Sequence, residues 1–135
     1  MKQLAVIGLG LIGASCCAAI KKRAPDWHIL GHSRTEATRQ QALAKGLIDR
    51  SFDSIAGAVR ESDLILIAVP VGQFRHVFEN VDAARDSSSV VTDAGSTKGS
   101  VIRDITSALG STPAWFVPGH PIAGSEQSGV DAANP

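Results

Sequence analysis

The chain has 135 residues, of which 44% are hydrophobic and 19% charged; that balance fills one ordinary core and excludes a disordered chain. Thirteen basic residues meet thirteen acidic ones for a formal net charge of zero, so no bulk field attracts nucleic acid or an anionic membrane, and any anion site has to be local. Aromatic residues reach only 4% and tyrosine is absent, which argues against a surface that stacks single-stranded nucleic acid.

Lys2 to Ile7 is a short, mostly apolar run ending at glycine, the pattern of a buried parallel strand. A helix rich in small residues is predicted over 11–23, stopped by Ala24-Pro25. The charged start and apolar stretch have the outline of a secretory signal. Against that, three glycines interrupt the stretch at a meaningful spacing and Lys21-Lys22-Arg23 continue the helix. No later run approaches the roughly 20 apolar residues of a membrane span, so a cytoplasmic protein without a membrane partner is expected. Cys16 and Cys17 are adjacent and cannot staple distant segments; they read as small apolar residues in a reducing compartment. There is no CxxC and no spaced His/Cys cluster, so no metal site is expected.

A second strand is predicted at 27–30. Ser33-Arg34-Thr35-Glu36 has the form of a capping box, opening a helix that closes at Gly46. A short edge strand at 49–53 and a helix at 54–61 follow. Residues 64–69 form the most apolar strand, closed by Pro70, with a helix over 73–84 after it. A strand at 90–92 precedes a helix over 101–109 with Ser100 as its N-cap, and 115–117 is the last strand. Residues 119–135 are polar, glycine-rich and loop-like. This alternation implies right-handed βαβ units in an α/β fold: a doubly wound, mainly parallel sheet with helices on both faces.

Gly8-Leu9-Gly10-Leu11-Ile12-Gly13 is GxGxxG, directly after a strand and at the opening of a helix. The first glycine permits the tight turn, and the second lets backbone approach a pyrophosphate. The third, Gly13, lets helix and strand pack closely, while the helix N-terminus offers amide donors and partial positive charge. A strand–helix turn with no ligand is the plainer alternative. Sites that prefer NAD carry an acid at the end of the second strand to hold the ribose 2′-hydroxyl. Here the stretch is Gly31-His32-Ser33-Arg34-Thr35, and Glu36 belongs to the helix start. Ser33, Arg34 and Thr35 can instead receive a 2′-phosphate, so NADP is the expected cofactor and NAD the second choice. A simply solvated Arg34 stays open.

Two further segments fall at carboxyl ends of strands, where such sheets bind ligands. The first is Thr92-Asp93-Ala94-Gly95-Ser96-Thr97-Lys98; the second is Gly119-His120-Pro121-Ile122-Ala123-Gly124-Ser125-Glu126. Proline holds its predecessor extended, which stiffens the backbone at His120. From the residues alone, His120 is either a general base or an ordinary loop residue. Structural readings are favoured for His28, His32 and His76.

GLGLIGAS, VTDAGSTKGSV and GHPIAGSEQSGVDAA, in this order and spacing, resemble the amino-terminal domain of the prephenate/arogenate dehydrogenase family of tyrosine biosynthesis. The resemblance covers essentially the whole chain. It implies a Rossmann-type dinucleotide-binding domain and oxidative decarboxylation of prephenate or arogenate. It carries the catalytic histidine onto His120 and matches Ser96 to the serine that hydrogen-bonds that histidine and the nicotinamide region. Val69 and Pro70 would line the nicotinamide side. Glu126 matches an acid near the mouth of the substrate pocket, beside Gly124 and Ser125. The family's substrate carboxylates are largely held by a helical second domain, which also makes the homodimer. Residues 1–135 are therefore expected to be the dinucleotide-binding domain without that partner: able to bind cofactor, inactive or slow alone, and with some apolar surface uncovered. The alternatives are the cofactor domain of a β-hydroxyacid dehydrogenase or imine reductase, and a non-catalytic NADP-binding module.

Overall fold

Six strands pair side by side, every pair parallel, in a computed structural model that describes residues 2–94 and 98–119. The first half of the chain contributes β1 (Lys2–Ile7), α1 (Leu11–Arg23), β2 (Trp27–His32), α2 (Glu36–Ala44), β3 (Arg50–Phe52) and α3 (Ile55–Val59). The second contributes β4 (Leu64–Ile67), a 3₁₀ turn (Val71–Gln73), α4 (Phe74–Ala84), β5 (Val90–Asp93), α5 (Lys98–Leu109) and β6 (Phe116–Val117). The sheet order is β3-β2-β1-β4-β5-β6. The chain thus winds outward from β1 to β3, crosses back, and winds the other way from β4. That reversal opens a crevice between β1 and β4 at the strands' carboxyl ends.

Alternate residues of the central strands feed two separate cores. Ala5, Ile7, Ile65, Ile67, Val91 and Phe116 pack with Val59, Phe74, Phe78, Val81 and Ile105 on the face covered by α3, α4 and α5. Leu4, Val6 and Ile29 pack on the other face with Cys17 of α1 and Ala42 of α2. Burial on both faces explains why β1 and β4 read as continuous apolar runs. Phe78 anchors the larger core, its ring centroid 5.6 Å from Phe74, 5.4 Å from Trp115 and 5.5 Å from Phe116. A fully buried phenylalanine of this kind is worth about 3–5 kcal/mol against alanine. Val90 and Val117, 41% and 54% exposed, are the large apolar side chains that remain uncovered among the described residues.

Strand lengths follow the neighbours. β2 runs two residues past its expected end because β1 pairs with it as far as Ile7 opposite His32. β4 stops two residues early because β1 ends opposite Ile67. Two helix starts also differ from expectation. The residue preceding α2 is Thr35 rather than Ser33, and its hydroxyl donates to Thr38 Oγ1 at 2.7 Å instead of capping an amide. Ser33 lies outside both β2 and α2, its carbonyl accepting from the Arg39 guanidinium at 2.7 Å. α5 begins at Lys98, so Ser100 is its third residue and not its cap; the first-turn amides need no acceptor within the helix, so the residue type at 100 does not set the start. Ser54, in contrast, caps α3, its Oγ accepting the Gly57 amide at 3.1 Å.

Candidate functional site

The glycine loop turns where β1 leaves the sheet. Gly8 adopts φ +104°, and a Cβ there would lie 2.4 Å from the Ala68 carbonyl oxygen. Its N–H donates to the His32 carbonyl at 2.9 Å, tying the ends of β1 and β2 together. Gly13 packs so closely that a Cβ would lie 2.0 Å from the Gly8 carbonyl oxygen. Gly10 is different: it is the N-cap of α1, supplies no side-chain cap, and has open space where a Cβ would be. The first turn of α1 holds no acid, while Lys21, Lys22 and Arg23 sit in its last turn, the arrangement that leaves the positive end of the dipole for an outside anion.

A cavity of about 580 Å³ lies in front of this loop, at the switch in strand order. Its base is Ile7 with Ala68, Val69 and Pro70 beyond β4; one side is Gly8, Leu9 and Gly10. His32, Ser33 and Arg34 form a second side at the end of β2, and Gln73, His76 and Val77 form a third at the start of α4. Among the described residues, no carboxylate lines it. Leu9 buries its side chain in the smaller core, so its share of the wall is mainly backbone.

Of the residues expected to hold a cofactor, Gly8, Leu9, Gly10, Ser33, Arg34, Val69 and Pro70 surround this one cavity. Leu11, Ile12, Gly13 and Thr35 do not line it; Gly13 serves the packing of α1, and Thr35 bonds within α2's first turn. Ser96, His120, Gly124, Ser125 and Glu126 lie outside the described residues. The chain leading to His120 is placed, however. Gly119 N–H donates to Oδ1 of Asp93 at 3.0 Å, and Asp93 is only 2% exposed at the end of β5. A Cβ on Gly119 would lie 2.6 Å from the Asp93 carbonyl oxygen. Gly119 and Asp93 therefore meet at the carboxyl end of the sheet, the end that carries the cavity.

Gln73, which no sequence motif singles out, lines the cavity, as do His32 and His76, for which structural roles are expected from the sequence. The available signals were position on the last residue of the second strand for His32, and the first turn after the central strand for Gln73 and His76. His28 does sit in a structural cluster, with Nδ1 3.7 Å from Asp49 Oδ2. Burial pushes the Cys17 thiol up to about 12, reinforced by its neighbour Cys16, whose own thiol is raised by burial. Both stay protonated at neutral pH and behave as apolar side chains. No helix among the described residues is long and apolar enough to cross a membrane.

A parallel sheet with a glycine loop at its switch point and a cavity before it defines a Rossmann-type nucleotide-binding domain. Residues 16–135 match the family model described as prephenate dehydrogenase, nucleotide-binding domain, and the chain belongs to that family. It is 39% identical over 136 residues to the prephenate dehydrogenase of Lactococcus lactis subsp. cremoris, covering 99% of this chain and 38% of the relative. It is 40% identical over 131 residues to the cyclohexadienyl dehydrogenase of Zymomonas mobilis, covering 97% of this chain and 44% of the relative. Among solved structures, prephenate dehydrogenase from A. aeolicus in complex with hydroxyphenyl propionate and NAD+ superposes with a TM-score of 0.87 at 29% identity, over 98% of this chain and 46% of that one. The chain thus spans about two-fifths of the length of the curated relatives it matches.

Proposed function

We propose that this chain is the cofactor-binding part of an NADP-dependent dehydrogenase that oxidatively decarboxylates prephenate to 4-hydroxyphenylpyruvate, or arogenate to tyrosine. The observation that carries the reading is the cavity at the switch point, lined among the described residues by no acid, with the glycine loop on one side and Ser33 and Arg34 on another. The residues fit the group. The open space at Gly10 and the uncapped start of α1 suit a pyrophosphate. Arg34, with the Ser33 hydroxyl, suits a 2′-phosphate, which a carboxylate at this point would repel. Apolar Val69 and Pro70 would flank the nicotinamide.

A bound nicotinamide would supply the acceptor for the hydride of the substrate's hydroxyl-bearing ring carbon. His120 accepts the proton of that hydroxyl, which lets the carbon–oxygen double bond form. The family resemblance gives Ser96 the hydrogen bond to that imidazole. The ring then loses carbon dioxide and becomes aromatic. The same resemblance gives Glu126, with Gly124 and Ser125, a role near the mouth of the substrate pocket. The seating of Gly119 on Asp93 supports this assignment because it anchors the backbone one residue before His120. The family resemblance assigns substrate carboxylates and dimer contacts to a helical second domain, so these 135 residues alone are expected to bind cofactor with little turnover. A cytoplasmic setting accompanies this reading.

Titration of the chain with NADP and NAD tests the cofactor assignment. NADP should bind more tightly, and Arg34→Ala should weaken it by about tenfold or more while leaving NAD nearly unchanged. Equal affinities in the unaltered chain would overturn NADP preference. In the longer enzyme, His120→Asn should lower kcat by about 10²–10⁴ with cofactor affinity intact; near-normal turnover removes the assignment of the base.

A further inference from the structure

At the carboxyl end of the sheet, the ends of β2, β1, β4 and β5 are tied in turn by the first amide past a strand. Gly8 N–H donates to the His32 carbonyl at 2.9 Å, Ala68 N–H to the Ile7 carbonyl at 2.8 Å, and Ala94 N–H to the Ile67 carbonyl at 2.9 Å. The rung to β6 cannot form in this way. Thr92 pairs with Val117, so the first amide past β6 would be that of residue 118, a proline with no N–H. The tie is made instead one residue later and by a side chain: Gly119 N–H donates to Oδ1 of buried Asp93 at 3.0 Å. Close backbone packing accompanies it. A Cβ on Gly119 would lie 2.6 Å from the Asp93 carbonyl oxygen and 3.0 Å from Thr92 Oγ1, so a glycine is needed for this approach to β5.

We propose that Asp93 is a positioning residue for the proton transfer: by holding the Gly119 amide, its carboxylate fixes where the chain leaves the sheet immediately before His120. This rests on the function proposed above, in which His120 is the base. Asp93 acts through the backbone and not on the reacting atoms. Its own place is secure, because β5 pairs with β4 on one side and β6 on the other, and the next amide, Ala94, is held by the Ile67 carbonyl. The bond to Gly119 passes that rigidity to the start of the following segment, past the point where proline interrupts the backbone ladder. Pro121 follows His120 in the sequence and narrows the backbone choices from the other side. A general base has to come within hydrogen-bond reach of the proton it takes, and a displacement of about 1 Å costs about 10²-fold in rate. A single well-placed acceptor on β5 therefore controls turnover without contributing to cofactor binding.

The test uses Asp93→Ala, Asp93→Asn and Gly119→Ala, with thermal unfolding and NADP affinity measured in this chain and turnover measured in the longer enzyme. Asparagine keeps an oxygen that can accept the Gly119 amide, and alanine does not. The Cβ of Gly119→Ala parts the same contact from the other side. Asp93→Ala and Gly119→Ala should each lower kcat by about 10²-fold while NADP affinity is unchanged, and Asp93→Asn should restore most of the loss. In a His120→Asn background neither alanine should lower kcat further, because groups that act as a unit are not additive. A folded Asp93→Ala enzyme with normal kcat overturns the proposal. So does an equal loss with and without His120, which would show that Asp93 only holds the fold. Asparagine that loses as much as alanine overturns it too, because the requirement would then lie in the charge and not in the accepted bond. If Asp93→Ala does not fold, Gly119→Ala carries the same comparison. Failure of the function proposed above looks different: His120→Asn alone leaves turnover near normal, whatever stands at position 93.

Discussion

At the amino-terminal end of the sheet, carboxylates close off strand amides. Asp49 Oδ2 accepts the Ile29 N–H at 2.7 Å and pairs with the Lys21 ammonium, and Asp63 Oδ2 accepts the Gln3 N–H at 2.8 Å. At the carboxyl-terminal end the pattern is reversed. The α1 amides have no side-chain cap, no acid stands in that first turn, and no carboxylate among the described residues lines the cavity. Negative charge is used where the fold has to be closed and withheld where an anion has to be received. Asp93 is instructive because it lies at the carboxyl end yet is turned to structure: it is buried and accepts the Gly119 amide.

The contrast breaks most sharply at Gly13. A Cβ 2.0 Å from the Gly8 carbonyl oxygen has no soft neighbour to displace, so Gly13→Ala should destabilise the fold by about 3 kcal/mol, read as a lowered denaturant midpoint. Gly10→Ser should separate fold from function. Serine is a favoured N-cap, and the φ of −76° and ψ of −162° at Gly10 suit it. Stability should stay level or rise by up to about 1 kcal/mol. The new hydroxyl, however, fills the open space and takes the amides meant for the pyrophosphate, so dinucleotide affinity should fall about tenfold or more. A variant that binds normally would show that the loop does not face the cofactor.

The smallest effect belongs to the amino-terminal end. Burial works against ionisation of Asp49, but the Ile29 amide and the Lys21 ammonium outweigh it and hold its carboxyl below the ordinary carboxylate range. A depressed carboxyl contributes stability that is present above the unfolded value near pH 3.9 and is lost as pH falls through the folded one. Asp49→Asn should therefore cost about 1 kcal/mol at pH 7 and flatten the acid limb of a melting-temperature profile below about pH 4. An unchanged acid limb would mean that the carboxylate is idle.

The unit from β1 to α1 was legible without coordinates because its determinants are local: an apolar run, three glycines at fixed spacing, and a helix that follows at once. The arginine standing where an acid would be was legible for the same reason. Capping was less so, because Ser33 fits the pattern but Arg39 holds its carbonyl and leaves Thr35 at the start of the helix. Strand ends were read too long or too short where the limit is the neighbouring strand.

What the sequence alone determined is the order and type of the elements and the chemistry of the glycine loop, since these depend on residues a few positions apart. What only the tertiary structure decided is which side chains share one space. His32 is bound by a carbonyl twenty residues downstream, and Gly119 by a carboxylate twenty-six residues before it. Such pairings depend on the crossover that brings separate strand ends together, and no local pattern of residue types encodes it.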